Sequence, residues 1–188
     1  MTSAPAPLRL AGLCGSLRSG SLNAAVLATA ARLAGPRAVL TVHPDLGRLP
    51  FFNHDVEMAG CPPQVVAFRE LVGAADGVLV ASPEYAHGTS GVLKNALEWL
   101  VGSGGVVNKP VAVVTASPSM TGGDRAQAWV RETLEVMDAV LLPPLLIQRA
   151  SARIRDYAVH EPEALEGLRS LVDALTEAAG KMAADEHF

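Results

Sequence analysis

The sequence predicts a three-layer α/β/α architecture: a doubly wound, five-stranded parallel sheet in the order 2-1-3-4-5, with helices on both faces. Three observations predict it. Five short, nearly all-apolar runs alternate with five stretches of helical period. A strand covered on both faces reads as a continuous apolar run, and parallel neighbours need right-handed helical crossovers. The chain has 188 residues, enough for one such domain over 1–188 and too few for an eight-stranded barrel. Hydrophobic residues make up 49% and aromatic residues only 4%, so Ala, Val and Leu must build a core that needs no metal or disulfide.

Residues 1–7 read as a flexible tail, and 8–14 as the first strand. Residues 22–33 form an Ala-rich helix, 38–42 the second strand, and 47–63, with Pro50, Phe51, Phe52 and Asn53, a loop. Between 62 and 75, Val65, Val66, Phe68, Leu71 and Val72 share one helical face. The third strand is 77–81. In 90–101, Val92, Leu93, Ala96, Leu97, Leu100 and Val101 form a wide apolar stripe. Lys109-Pro110 leads into the fourth strand, 111–116, and Asp124 favours the N-terminus of a helix over 124–137. The fifth strand, 139–147, must bend or lie at an edge because Pro143 and Pro144 cannot donate to a central ladder. Leu165, Leu168, Val172, Leu175, Ala179 and Met182 then recur every three or four residues in a closing helix. Five strands in this alternation give the flavodoxin-like order.

Fifteen basic against nineteen acidic side chains leave a net charge of −4, without the positive field that nucleic-acid binding needs. The longest apolar stretch is too short to span a bilayer and contains two prolines. No nucleic acid or membrane is therefore expected as a partner. The N-terminus lacks the pattern of a secretory signal, and Cys14 and Cys61 fit no metal-ligand spacing. Two reduced thiols in a cytoplasmic protein are the expectation, with Cys14 packed in the core.

In a sheet of this order, ligands bind beyond the carboxyl ends of strands one and three, where the order reverses. The loop after strand one reads Gly15-Ser16-Leu17-Arg18-Ser19-Gly20-Ser21-Leu22-Asn23. It opens a helix, so free N–H groups converge at the positive end of the helix dipole, beside hydroxyls, an amide and a guanidinium. That equipment suits a phosphate monoester; it has neither a triphosphate-loop ending nor dinucleotide glycine spacing. The same residues equally suit a helix cap with Arg18 in solvent, and the segment alone does not choose between the two. After strand three comes Ser82-Pro83-Glu84-Tyr85-Ala86-His87-Gly88-Thr89-Ser90-Gly91. Pro83 stiffens this loop, which can present backbone groups to a flat heterocycle, and Tyr85 can cover the ring.

GSLRSGSLN, SPEYAHGTSGVLKNALEWL and a Ser-containing loop ending in Gly122-Gly123 together resemble the NAD(P)H-dependent FMN reductases, a flavodoxin-like group with quinone-, chromate- and azo-reducing members. The resemblance runs in order from about Leu8 to Leu134. It implies an oxidoreductase with FMN as cofactor and NADPH or NADH as hydride donor. It implies FMN phosphate on Ser16, Arg18, Ser21, Leu22 and Asn23, the ring along Pro83, Glu84, Tyr85 and Ala86, and Ser117 near the flavin. A homodimer or homotetramer and a small-molecule electron acceptor (quinone, free flavin, azo compound or metal oxyanion), reduced in ping-pong order, follow from it as well. Ala86 stands where many members have Asn, and His87-Gly88-Thr89-Ser90 departs from the commoner pattern. A flavodoxin-like electron carrier that excludes the nicotinamide is the rival reading. It is disfavoured because Tyr85 is the only aromatic near the site, and such carriers are usually more acidic.

No protein side chain is expected to do covalent or metal chemistry: no Ser-His-Asp arrangement and no metal-ligand set is visible, so the hard chemistry falls to a cofactor. His87 is a candidate proton donor or substrate contact, though a loop histidine is more often solvent-exposed. Glu84 reads as a loop residue held by Lys or Arg, Trp99 as a packing residue, and Lys94 and Asn95 as ties to neighbouring loops. His43, His160 and His187 read as solvated.

Overall fold

The computed structural model describes residues 6–185. Most of the expected N-terminal tail (1–5) and His187 lie outside the described residues. The chain runs β1 (Leu8–Cys14), α1 (Leu22–Ala34), β2 (Ala38–Val42), α2 (His54–Ala59), α3 (Pro63–Gly73), β3 (Gly77–Ser82), α4 (Gly91–Val101) and β4 (Pro110–Ala116). It continues through α5 (Asp124–Val136), β5 (Val140–Leu141), β6 (Leu145–Ile147), α6 (Ala150–Arg153), β7 (Ile154–Arg155), β8 (Ala158–Val159) and α7 (Pro162–Asp185). The sheet order is β2-β1-β3-β4-β5 with every pairing parallel, and β6 also pairs with β4. This is the flavodoxin-like α/β fold.

The expected fifth strand is two short strands sharing one edge position. Pro143 and Pro144 fall between them, where neither can donate to the ladder. The strict alternation of five strands and five helices also gives way to shorter pieces. α6 and the antiparallel hairpin of β7 and β8 follow the sheet, registered Ile154↔Val159.

Strand periodicity divides the core into two clusters, one on each face. Leu79 and Ala81 of β3 point to the face covered by α1 and α7, among Val26, Leu27, Leu168 and Leu175. Val78 and Val80 point to the other face, among Phe68 of α3, Leu97 and Trp99 of α4 and Leu134 of α5. Because β3 is buried along its whole length, it reads as an unbroken apolar run rather than an alternating one.

Residues 47–63 are not the plain loop expected. They carry α2, capped by Asn53, whose Oδ1 accepts from Asp55 N at 2.8 Å. This segment is locked onto α3 and α4 by polar groups. Arg69 pairs with Glu57, and its Nε donates to Trp99 O at 2.7 Å. Trp99 Nε1 donates to Pro50 O at 2.8 Å, Asn95 Nδ2 donates to the same oxygen at 2.9 Å, and Asn95 Oδ1 accepts from Phe52 N at 2.7 Å. Trp99 and Asn95 therefore act as expected. Lys94 does not: it pairs with Glu98 one turn along its own helix. The Arg69 guanidinium beside Glu57 holds that carboxyl below its usual range. His43 is not solvated either. Its ring packs edge-on against Phe68 at 5.2 Å, its Nδ1 is buried, and burial lowers its pKa.

Candidate active site

The carboxyl ends of β1, β3 and β4 are level: Cys14 lies opposite Ala81, and Ser82 opposite Thr115. α1 leaves toward one face of the sheet and α4 toward the other, so the loops before them diverge and leave a crevice. The first two loops touch at Gly15, whose N–H donates to Ala81 O at 2.9 Å. A Cβ at Gly15 would lie 2.9 Å from Pro83 Cδ and 3.0 Å from Ser90 Oγ, so only glycine allows this approach.

Capping accounts for part of the first loop. Ser21 is the N-cap of α1, with Oγ accepting from Ala24 N at 3.1 Å and its carbonyl from Ala25 N at 3.1 Å. Ser21 N donates to Arg18 O at 3.1 Å. The first-turn N–H groups of Leu22 and Asn23 have no carbonyl behind them within the helix, and no acidic residue stands in that turn. Asn23 is 3% exposed. Its side chain grips the backbone of Ala116, donating to the carbonyl and accepting from the N–H, both at 3.1 Å. Its amide thus ties α1 to the end of β4, while its backbone N–H faces outward from the helix start. Arg18 is exposed. Cys14 is half-buried with its thiol 3.5 Å from Ser16 O, and burial pushes its pKa up.

The second loop is a tight hairpin. Tyr85 and Gly88 exchange both backbone hydrogen bonds at 3.0 Å, while Ala86 (φ 47°) and His87 (φ 61°) take left-handed conformations. His is among the residues that adopt that region more readily, but Ala is not, so the turn is strained at Ala86. Glu84 is not held by Lys or Arg as expected: its Oε2 accepts from Arg125 N at 3.1 Å and Ala126 N at 3.2 Å. It caps α5, whose N-terminal dipole offsets the charge. His87 is exposed, with Nδ1 3.7 Å from Glu84 Oε1. In the third loop, Ser117 Oγ lies 3.0 Å from Ser119 Oγ, and Ser117 N donates to Ile147 O at 3.2 Å.

One cleft is lined by Ser16, Arg18, Ser21, Leu22, Asn23, Pro83, Glu84, Tyr85 and Ser117, together with Ala116 and Pro118. Ala86 does not line it, sitting at the outer end of the hairpin. Ala116 and Pro118 were not foreseen, although a Ser-Pro pair follows both β3 and β4 and signals the repeat. The cleft holds about 50 Å³, against roughly 30 Å³ per water in the liquid. It accommodates a phosphate group but no tricyclic ring. Beside it opens an apolar hollow of about 480 Å³, lined by Gly15, Leu17, Arg18, Phe51, Tyr85, Ser90, Gly91 and Val92. Phe51, 89% exposed, was read only as part of a loop. A tight polar cleft that opens onto an apolar shelf fits a flat ring with a phosphate tail, as FMN has.

Residues 8–152 match the family model described as NADPH-dependent FMN reductase. An NAD(P)H-dependent FMN reductase of Pseudomonas aeruginosa is 40% identical over 147 residues, covering 76% of this chain and 79% of the relative. A quinone reductase of Escherichia coli is 35% identical over 138 residues, covering 72% and 73%. The structure of the flavoenzyme NAD(P)H:(acceptor) oxidoreductase FerB from Paracoccus denitrificans superposes with a TM-score of 0.83 at 30% identity, covering 93% of this chain and 98% of that one.

Proposed function

The chain belongs to the NADPH-dependent FMN reductase family, an oxidoreductase whose cofactors are FMN and NAD(P)H, and on that premise we propose how its own residues carry the reaction. The FMN phosphate lies at the start of α1, taking the backbone N–H groups of Leu22 and Asn23, the hydroxyls of Ser16 and Ser21, and the Arg18 guanidinium. The ring leaves the cleft past Pro83, Glu84 and Ser117 and lies over the apolar hollow against Tyr85, while Ala86 stays at the outer end of the hairpin. Bound there, FMN would supply two-electron hydride transfer between NAD(P)H and a small acceptor such as a quinone, in ping-pong order.

The observation that carries this reading is the convergence of three loops on one cleft in which the only carboxylate is already satisfied. Glu84 spends its charge on the N-terminus of α5, so it opposes the phosphate little. The stiff hairpin from Pro83 presents backbone groups with little reorganisation, which is what stabilising a charge-bearing ring requires. Tyr85, 48% exposed, gives an apolar face that keeps water from one side of the ring. His87, exposed at the rim with Nδ1 3.7 Å from Glu84 Oε1, is placed to give a proton there.

The shelf around Phe51 and Tyr85, with exposed Trp129 packed against Gly88, supports a homodimer or homotetramer whose partner covers the site. The two free thiols suit a cytoplasmic location, and a core contiguous with one sheet supports a single domain over 1–188. Anaerobic mixing of the FMN-loaded protein with NADPH or NADH tests the function. The visible flavin absorbance should bleach and then return on adding a quinone; a spectrum that neither nucleotide changes overturns the proposal.

A further inference from the structure

A second cavity lies on the other side of the first loop and is larger than the phosphate cleft. It holds about 540 Å³, within the range of small-molecule sites. Its walls come mainly from Ser16 to Ser19 after β1, Val42 to Gly47 after β2, and Tyr157 from the turn between β7 and β8, with Cys14 and Ala24 behind the first loop. The site described above uses neither the segment after β2 nor Tyr157.

We propose that this cavity receives the adenosine end of the nicotinamide dinucleotide, with Tyr157 against the base and Asp45 on the adjacent ribose. This rests on the reading that the chain takes NAD(P)H beside FMN. Continuity is the first argument. Ser16 and Arg18 line both this cavity and the phosphate cleft, and Leu17 and Arg18 also line the apolar hollow beside Tyr85. A ligand starting on the hollow therefore crosses Arg18 before entering the cavity. NAD(P)H has that order of parts: a flat ring, a pyrophosphate, then an adenosine. Arg18 and Ser19 meet the charged middle.

The chemistry of the walls is the second argument. Tyr157 is 52% exposed and sits at φ 57°, next to Asp156 at φ 49°. A bulky residue in the left-handed region is strained, and the hairpin bonds on either side hold its ring at the cavity rim. An exposed aromatic face beside an apolar wall of Val42, Pro44 and Leu46 suits a purine. Asp45 follows β2, the strand next to β1, paired Gly12↔Val42. Its Oδ1 accepts from Gly47 N at 2.8 Å and its Oδ2 lies 3.6 Å from Arg48 Nε, leaving acceptor capacity for ribose hydroxyls. An acid at the end of the strand beside a phosphate-binding turn is placed to accept from a ribose hydroxyl.

The test compares NADH, NADPH and reduced nicotinamide mononucleotide (which lacks the adenosine) as donors to the FMN-loaded protein. In the wild type the KM for NADH should lie well below that for the mononucleotide. Tyr157→Ala should raise the NADH KM about tenfold, a fold-change in keeping with loss of a stacked base, and narrow that gap. Asp45→Asn, which keeps an acceptor for Gly47 N–H, should raise the NADH KM. ADP-ribose should compete with NADH in the wild type and bind more weakly to both variants. Equal KM values for NADH and the mononucleotide in the wild type overturn the proposal, as do variants with unchanged NADH KM; flavin bleaching by any donor would leave the family reading standing. Bleaching by none overturns both.

Discussion

Replacing Asn23 by Ala removes the two hydrogen bonds that fasten the start of α1 to the end of β4. Both partners are backbone groups of Ala116, at 3.1 Å, and Asn23 is nearly fully buried. An unsatisfied buried N–H or C=O costs about 1–3 kcal/mol. Two of them, partly relieved by water entering the space left, give a loss of about 2–4 kcal/mol for Asn23→Ala. For a chain of this size each kcal/mol lowers Tm by about 2–4 °C, so the apoprotein should melt roughly 5–15 °C lower. Asn23→Asp keeps the acceptor for Ala116 N–H but sets a carboxylate against the Ala116 carbonyl and beside the proposed phosphate position. It should lose FMN binding more completely than Asn23→Ala. Urea unfolding of the apoproteins, followed by circular dichroism, measures the first effect free of cofactor. A stability within about 0.5 kcal/mol of wild type would refute the reasoning, since it would mean that the two buried groups are satisfied without the side chain.

Three further outcomes are expected. Ala86→Asn places a residue that tolerates the left-handed region at φ 47°, and should raise the urea midpoint by the equivalent of about 0.5–1 kcal/mol; an unmoved midpoint would show that the turn carries no strain. Gly15→Ala drives a Cβ to 2.9 Å from Pro83 Cδ and 3.2 Å from Leu93 Cβ. It should cost about 1–3 kcal/mol and weaken FMN binding, and wild-type values for both would contradict the packing described. Glu57 has a folded-state pKa below its usual 4.5, so its contribution is complete above pH 4.5 and is lost as pH falls through the lowered value. Glu57→Gln should therefore be less stable at pH 7 and lose less on going to pH 3 than wild type; parallel acid limbs would contradict the Arg69 pairing.

The central strands β3 and β4 were legible because burial on both faces writes itself as apolar runs. β1 and β2 end where the sequence predicts, Cys14 and Val42 being the last residues before polar loops. α2 was not legible: six residues give too short a window for helical period, and its order comes from Asn53, Glu57 and Arg69, the last of them in another helix. The β7–β8 hairpin escaped for a related reason, since two-residue strands show no alternation and Asp156-Tyr157 is not a turn-forming pair by composition. The cleft-lining residues were visible as loop motifs, yet their partners were not. The Asn23 side chain meets a backbone 93 residues away, and the Glu84 carboxylate meets the start of α5. Spacing along the chain carries no record of either contact. The adenosine cavity was likewise hidden, because Asp45 and Tyr157 come from opposite halves of the chain.

The central claim is that a phosphate ester is held at the start of α1, and comparing FMN with riboflavin as ligands of the apoprotein tests it most directly. Fluorescence titration should give FMN much tighter binding than riboflavin, which lacks the phosphate. Arg18→Ala should weaken FMN about ten- to hundredfold, the loss expected of a charge-assisted contact worth about 1.5–3 kcal/mol, and leave riboflavin nearly unchanged. Equal affinity for the two flavins, or an Arg18→Ala effect of the same size on both, would contradict the account.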